Sequence, residues 1–148
     1  MANKTEKYAE VVASASLGSL LLRESRFKIQ PEYYDKKIRD TAKFSFGAEM
    51  EDFTYFEKDH LIQGQFDFNV VVKKGKKNLL SIKASYILIY ELTQKVDNHA
   101  AEKFCEKVGV FSTYPYFRQL VSSYSDSASA SLPVLPVLKQ TNIVRVNK

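Results

Sequence analysis

Apolar and polar residues alternate most cleanly between residues 61 and 73. Ile62, Phe66, Phe68, Val70 and Val72 take one side, and Gln63, Gln65, Asp67, Asn69 and Lys73 fall mainly on the other. A period of two with a polar reverse face predicts a strand of an antiparallel sheet covered on one side. Residues 79–92 carry a second such face, Leu80, Ile82, Ala84, Tyr86, Leu88, Tyr90 and Leu92, with Ile87 and Ile89 apolar on the reverse. Between them Lys73-Lys74-Gly75-Lys76-Lys77-Asn78 reads as a hairpin turn, with Gly75 free to take a positive φ. Residues 43–56 set Phe44, Phe46, Ala48 and Met50 against Ser45, Gly47, Glu49 and Glu51, and the alternation lapses after Asp52 as it does at a bulge. Residues 19–29 place Leu21, Phe27 and Ile29 opposite Glu24, Arg26 and Lys28, and Pro31 ends that strand.

The period changes to that of a helix at both ends of the chain. Residues 5–16 bring Tyr8, Val11, Val12 and Ala15 onto one face of a short helix. Asp97 or Asn98 caps a helix that runs through Val108, with Gly109 as its stop. A second helix is predicted from Thr113, with Pro115 in its first turn. Its stripe is Phe117, Leu120, Val121 and Tyr124, and Arg118, Gln119, Ser122 and Ser123 face water. After a serine-rich link, Pro133 and Pro136 exclude helix and predict an extended strip, LPVLPVL. Four strands followed by helices make an α+β order. The reading is one domain over 1–148, with 1–16 as an N-terminal extension and 139–148 as a tail.

Composition narrows the chemistry. At 148 residues and 45% hydrophobic, the chain can bury a substantial core. The net charge of +5 is uneven: residues 1–69 are net −2 and residues 70–148 net +7. One cysteine, Cys105, forms neither an intrachain bridge nor a cysteine-rich zinc site and fits a reducing compartment. Leu20-Leu21-Leu22 is too short for a signal-peptide core, and no run reaches the roughly 20 apolar residues of a membrane helix. A cytoplasmic location is therefore expected. His60 and His99 stand in no metal or catalytic spacing, and Glu49, Glu51, Asp52, Glu57 and Asp59 read as a solvated face. The five glycines form no phosphate-cradling loop. The expectation is no catalytic residue, no metal and no cofactor. The lysine turn is the electrostatic part of a nucleic-acid site, but it reads more simply as protection of a sheet edge.

Tyr114-Pro115-Tyr116-Phe117-Arg118-Gln119-Leu120-Val121 resembles the aromatic-Pro-Tyr-x-Arg start of the long helix in the SecB export chaperones. The following LPVLPV is similar to the apolar, proline-bearing segment after that helix. The Val70–Leu80 hairpin resembles the family's third and fourth strands, and Leu20–Phe27 its first. The likeness spans about residues 19–138. It implies a twisted four-stranded antiparallel sheet with helices packed on one face, subunits paired through the first strand and long helix, and two dimers in a tetramer. It also implies no enzymatic activity, and grooves that hold unfolded polypeptide. The implied client-binding residues are Tyr114, Tyr116, Phe117, Leu132, Val134, Leu135 and Val137, with Phe44 and Phe46 on the sheet side.

Two departures shape the expectation. Secretory members recruit the SecA motor through an acidic patch on the sheet, whereas this chain has Lys73, Lys74, Lys76 and Lys77 there, and keeps Glu24 while reversing the charge at Lys28. Like charges at an interface oppose docking, so this surface argues against SecA. Where the family's closing amphipathic helix is expected after LPVLPV, this chain has KQTNIVRVNK, which reads as a tail or short strand. The leading expectation is an ATP-independent holdase with a dedicated client such as an antitoxin. An oligomeric scaffold or phage-type structural protein on the same fold is one alternative, and a nucleic-acid-binding module using the Lys73–Lys77 turn is another.

Overall fold

Each run of alternation becomes a strand in the computed structural model, which describes residues 2–135. In chain order the elements are α1 (Lys4–Ser14), β1 (Ala15–Ile29), a short 3-10 helix (Pro31–Tyr34), α2 (Lys36–Asp40), β2 (Lys43–Phe56), β3 (Leu61–Lys74), β4 (Lys77–Leu92) and α3 (Asn98–Ser127). The strands form one four-stranded sheet in the order β1-β4-β3-β2, which leaves β1 and β2 as its edges. Gln30 N–H donates to Leu79 O (2.7 Å) and Thr93 N–H to Ser14 O (3.1 Å), so β1 and β4 run antiparallel. Gly75 turns the β3–β4 hairpin at φ 60°, a conformation in which a Cβ would be strained.

The apolar face read from the sequence is the buried one. Ile62, Phe66, Phe68, Val70 and Val72 of β3 are in the core, as are all seven apolar positions of β4 from Leu80 to Leu92. Burying each larger aliphatic or aromatic side chain is worth about 1.5–3 kcal/mol, so these two central strands dominate the hydrophobic driving force.

The chain packs into two compact units. One holds Met50–Phe66, Tyr86–Thr113 and the N-terminal segment through Arg23. Its core includes Val11, Ile62, Leu88 and Cys105, with Phe104 edge-on to Tyr90 at 5.0 Å between ring centroids. The other unit holds Glu24–Glu49, Asp67–Ser85 and the described residues from Tyr114 onward. There Phe68 stacks on Phe117 at 5.1 Å, and Phe46 packs edge-on to Tyr114 at 5.5 Å.

Two expectations are corrected. Gly109 does not stop a helix and Thr113 does not start one: α3 is continuous for 30 residues, with Pro115 inside it. A Cβ at Gly109 would lie 2.2 Å from Cζ of Phe66, so this glycine lets α3 approach the strand closely. Of the two candidate caps it is Asp97 that serves, accepting Ala100 N–H at 3.0 Å on its carboxylate. Along β1 Phe27 and Ile29 are half-buried, while Leu21 lies 54% exposed on the edge strand, beside a similarly exposed Leu22. Val12 is also exposed, because an 11-residue helix turns only a narrow stripe, Val11 and Ser14, inward. The 3-10 helix and α2 were not foreseen, being too short to show a period.

Candidate functional site

The candidate surface lies in the unit that contains the end of α3, and its geometry starts with how that helix stops. Ser129 takes a positive φ of 50°. Ala130 N–H donates to Ser125 O (2.9 Å) and Ser129 N–H to Asp126 O (3.2 Å). This is the Schellman pattern, in which a left-handed residue satisfies the carbonyls a helix end leaves open. The turn is fixed from outside by the PEYY segment. Tyr33 donates its hydroxyl to Ala130 O at 2.6 Å, and Tyr34 donates to Ala128 O. Ser125 Oγ then accepts Leu132 N–H at 2.9 Å, which sets the direction in which the extended strip leaves the helix.

Tyr33, Tyr34 and Ser125 are therefore positioning residues that the sequence reading missed. The available signal was the Tyr33-Tyr34 pair just after Pro31-Glu32, which falls outside any periodic pattern. In the strip, Leu135 is buried, Leu132 half-buried and Val134 71% exposed. Val137 lies outside the described residues.

The predicted aromatic residues divide by their side of the helix or strand. Phe117 and Tyr114 are buried against the sheet, and burial pushes the Tyr114 phenol above its ordinary pKa. Tyr116 points outward and is 55% exposed. Phe46 is half-buried in the ring cluster with Phe68, while Phe44, two residues earlier at the start of β2, is exposed. Tyr116, Val134 and Phe44 thus offer open apolar surface. Tyr114, Phe117 and Leu135 are buried. Phe111, Phe56 and Tyr34 are further exposed aromatic residues that were not singled out.

The charged positions assigned to a partner surface lie in the same unit. Glu24 is engaged by its own strand, accepting Arg26 Nε at 2.7 Å. The two line a shallow polar trough of about 370 Å³ with Glu49, Asp67, Lys83 and Ser85, where Ser85 donates to Asp67 at 2.7 Å. Lys28, Lys73, Lys74 and Lys76 are exposed, and Lys77 is paired with Glu32 of the 3-10 helix.

His60 sits in the turn before β3 and His99 is exposed in the first turn of α3. Among the described residues no group of three or more His, Cys, Asp or Glu side chains could hold a metal ion. Cys105 is fully buried, and burial, with a smaller push from Glu102, raises its thiol to about 12. A thiol so high is protonated at neutral pH and a poor nucleophile. No described helix is long and apolar enough to cross a membrane.

No family model matches the chain. In sequence it is 36% identical over 56 residues to the SecB-like chaperone SmegB of Mycolicibacterium smegmatis. That segment is 38% of this chain and 38% of the relative, so the match spans well under half of either. In structure it is similar to the Mycobacterium tuberculosis SecB-like chaperone Rv1957, solved in complex with a ChAD peptide from the Rv1956 HigA1 antitoxin. That likeness has a TM-score of 0.72 at 10% identity, covering 90% of this chain and 97% of the other. Over most of its length the chain therefore has the fold of a SecB-like chaperone, and over that segment its sequence is similar to one.

Proposed function

We propose that the protein is an ATP-independent holdase that keeps extended apolar segments of unfolded polypeptide from aggregating, and that it serves a dedicated client such as an antitoxin. The observation that carries this reading is the open apolar surface of Tyr116, Val134 and Phe44 on a SecB-like fold. The antitoxin peptide bound by the structurally similar chaperone supports the choice of client class. Apolar surface removed from water gains about 25 cal/mol per Å², so a short aromatic-rich segment can bind without nucleotide hydrolysis. The exposed lysine turn argues against SecA as the receiving partner. The site of action we propose is the cytoplasm, where one buried free thiol is in keeping with a reducing environment. The working form we propose is a homodimer or a dimer of dimers.

The test is suppression of aggregation of a chemically unfolded client, followed by light scattering, with two variants beside the native chain. Tyr116→Ala should lower suppression while shifting stability by no more than about 0.5 kcal/mol, as expected of an exposed side chain. Phe117→Ala should cost about 3–5 kcal/mol, because it empties a fully buried ring site. No suppression by the native chain at stoichiometric amounts would defeat the holdase reading. Equal losses of stability from both variants would remove Tyr116 from the binding surface.

A further inference from the structure

Lysines from three separate stretches gather at one end of the unit that carries the candidate surface. Lys73, Lys74 and Lys76 flank the hairpin turn and are exposed. β2 and β3 are sheet neighbours joined by the tight turn after Phe56, so the first residues of β2 lie beside the last of β3. That register brings exposed Lys43 next to the hairpin lysines. Gln30 N–H bonds to Leu79 O, and Lys77 pairs with Glu32, which draws the segment bearing exposed Lys36 and Lys37 to the same end. The acids of that segment are partly committed: Glu32 holds Lys77, and Asp35 accepts Lys37 N–H at 2.9 Å to cap α2, which leaves Asp40. Cations far outnumber free carboxylates at this end, and β2, an edge strand, starts there with Phe44 40% exposed.

We propose that this end is a docking surface for acidic residues flanking the apolar segment of a client polypeptide. An extended chain can add to the open edge of β2 through backbone hydrogen bonds, lay an apolar side chain on Phe44 and set carboxylates against the lysines. This rests on the polypeptide-binding reading and specifies its substrate class. A polypeptide is favoured over nucleic acid because the cations border an exposed strand edge, which offers backbone pairing that a polynucleotide cannot use.

The experiment compares two fluorescent peptides with one central aromatic-aliphatic core, one flanked by glutamates and the other by glutamines, in anisotropy titrations. The glutamate peptide should bind about fivefold or more tightly at low salt, and the advantage should vanish near 1 M salt. Combined Lys73→Gln, Lys74→Gln and Lys76→Gln should bring the glutamate peptide down to the level of the glutamine peptide; these side chains are exposed, and circular dichroism confirms the fold. Equal affinity of both peptides overturns this proposal and leaves the holdase reading intact. Failure of both peptides to bind overturns the two together. A single-stranded oligonucleotide that displaces the glutamate peptide at lower concentration than unlabelled peptide overturns it in favour of nucleic acid.

Discussion

Cys105 shows how one buried group ties stability to pH. Its thiol ionises at an ordinary 9.0 when unfolded and is pushed to about 12 in the fold, first by burial and then by the Glu102 carboxylate. Below pH 9 both states are protonated, and the buried neutral thiol contributes in full. Between 9 and about 12 only the unfolded state loses the proton, so stability falls as pH rises. Tyr90 and Tyr114, also raised by burial, act in the same direction at still higher pH. Urea unfolding from about pH 7 to about pH 10.5 should therefore show a declining midpoint, with a shallower decline in Cys105→Ala. Identical slopes would mean that the thiol does not report its burial. The sequence left Cys105 as a lone thiol; its inertness comes from contacts, including the close approach to Gly64, which spacing along the chain does not reveal.

At the scale of elements, α3 is where local rules and packing part company. Glycine after a periodic run and proline two residues past Thr113 both argue for a break, yet the helix runs through them. The gain from pressing Gly109 onto Phe66, and from burying Val110, Tyr114 and Phe117 along one side, outweighs the roughly 3 kcal/mol that an interior proline costs. The real end is less legible, because its left-handed residue is Ser129 rather than glycine. A non-glycine residue in that conformation costs about 1–2 kcal/mol. Ser129→Gly should accordingly raise stability by about 1 kcal/mol, measured by urea denaturation, since the backbone bonds of the Schellman turn are kept. A loss of stability would mean that the turn is held by the serine side chain instead. β2, β3 and β4, by contrast, were legible to within about two residues, because a covered sheet face leaves a period of two that no turn chemistry disguises, whereas β1 begins at Ala15, four residues before its pattern does.

At the scale of the whole molecule, the sequence carried the sheet and the apolar character of its candidate surface, but not which apolar residues stay open. Tyr116 and Phe117 are neighbours of similar chemistry, and only the rotation of α3 decides that one is exposed and the other buried. The same limit governs β1. Leu17, Leu21 and Leu22 lie about half exposed on an edge strand, which in an isolated chain is both unpaired backbone and unprotected apolar surface. Pairing of β1 with its counterpart in a second copy would satisfy both, as the proposed dimer requires. Light scattering should then give twice the 16.9 kDa chain mass or more. Leu21→Glu with Leu22→Glu should shift that mass toward one chain, because like charges brought together across a paired edge repel and are costly to desolvate. Both leucines are exposed, so the unfolding midpoint extrapolated to low concentration should change little. A native chain that scatters as a monomer would remove the assembly from the proposed mechanism. A double variant that keeps the native mass would place the contact elsewhere than β1.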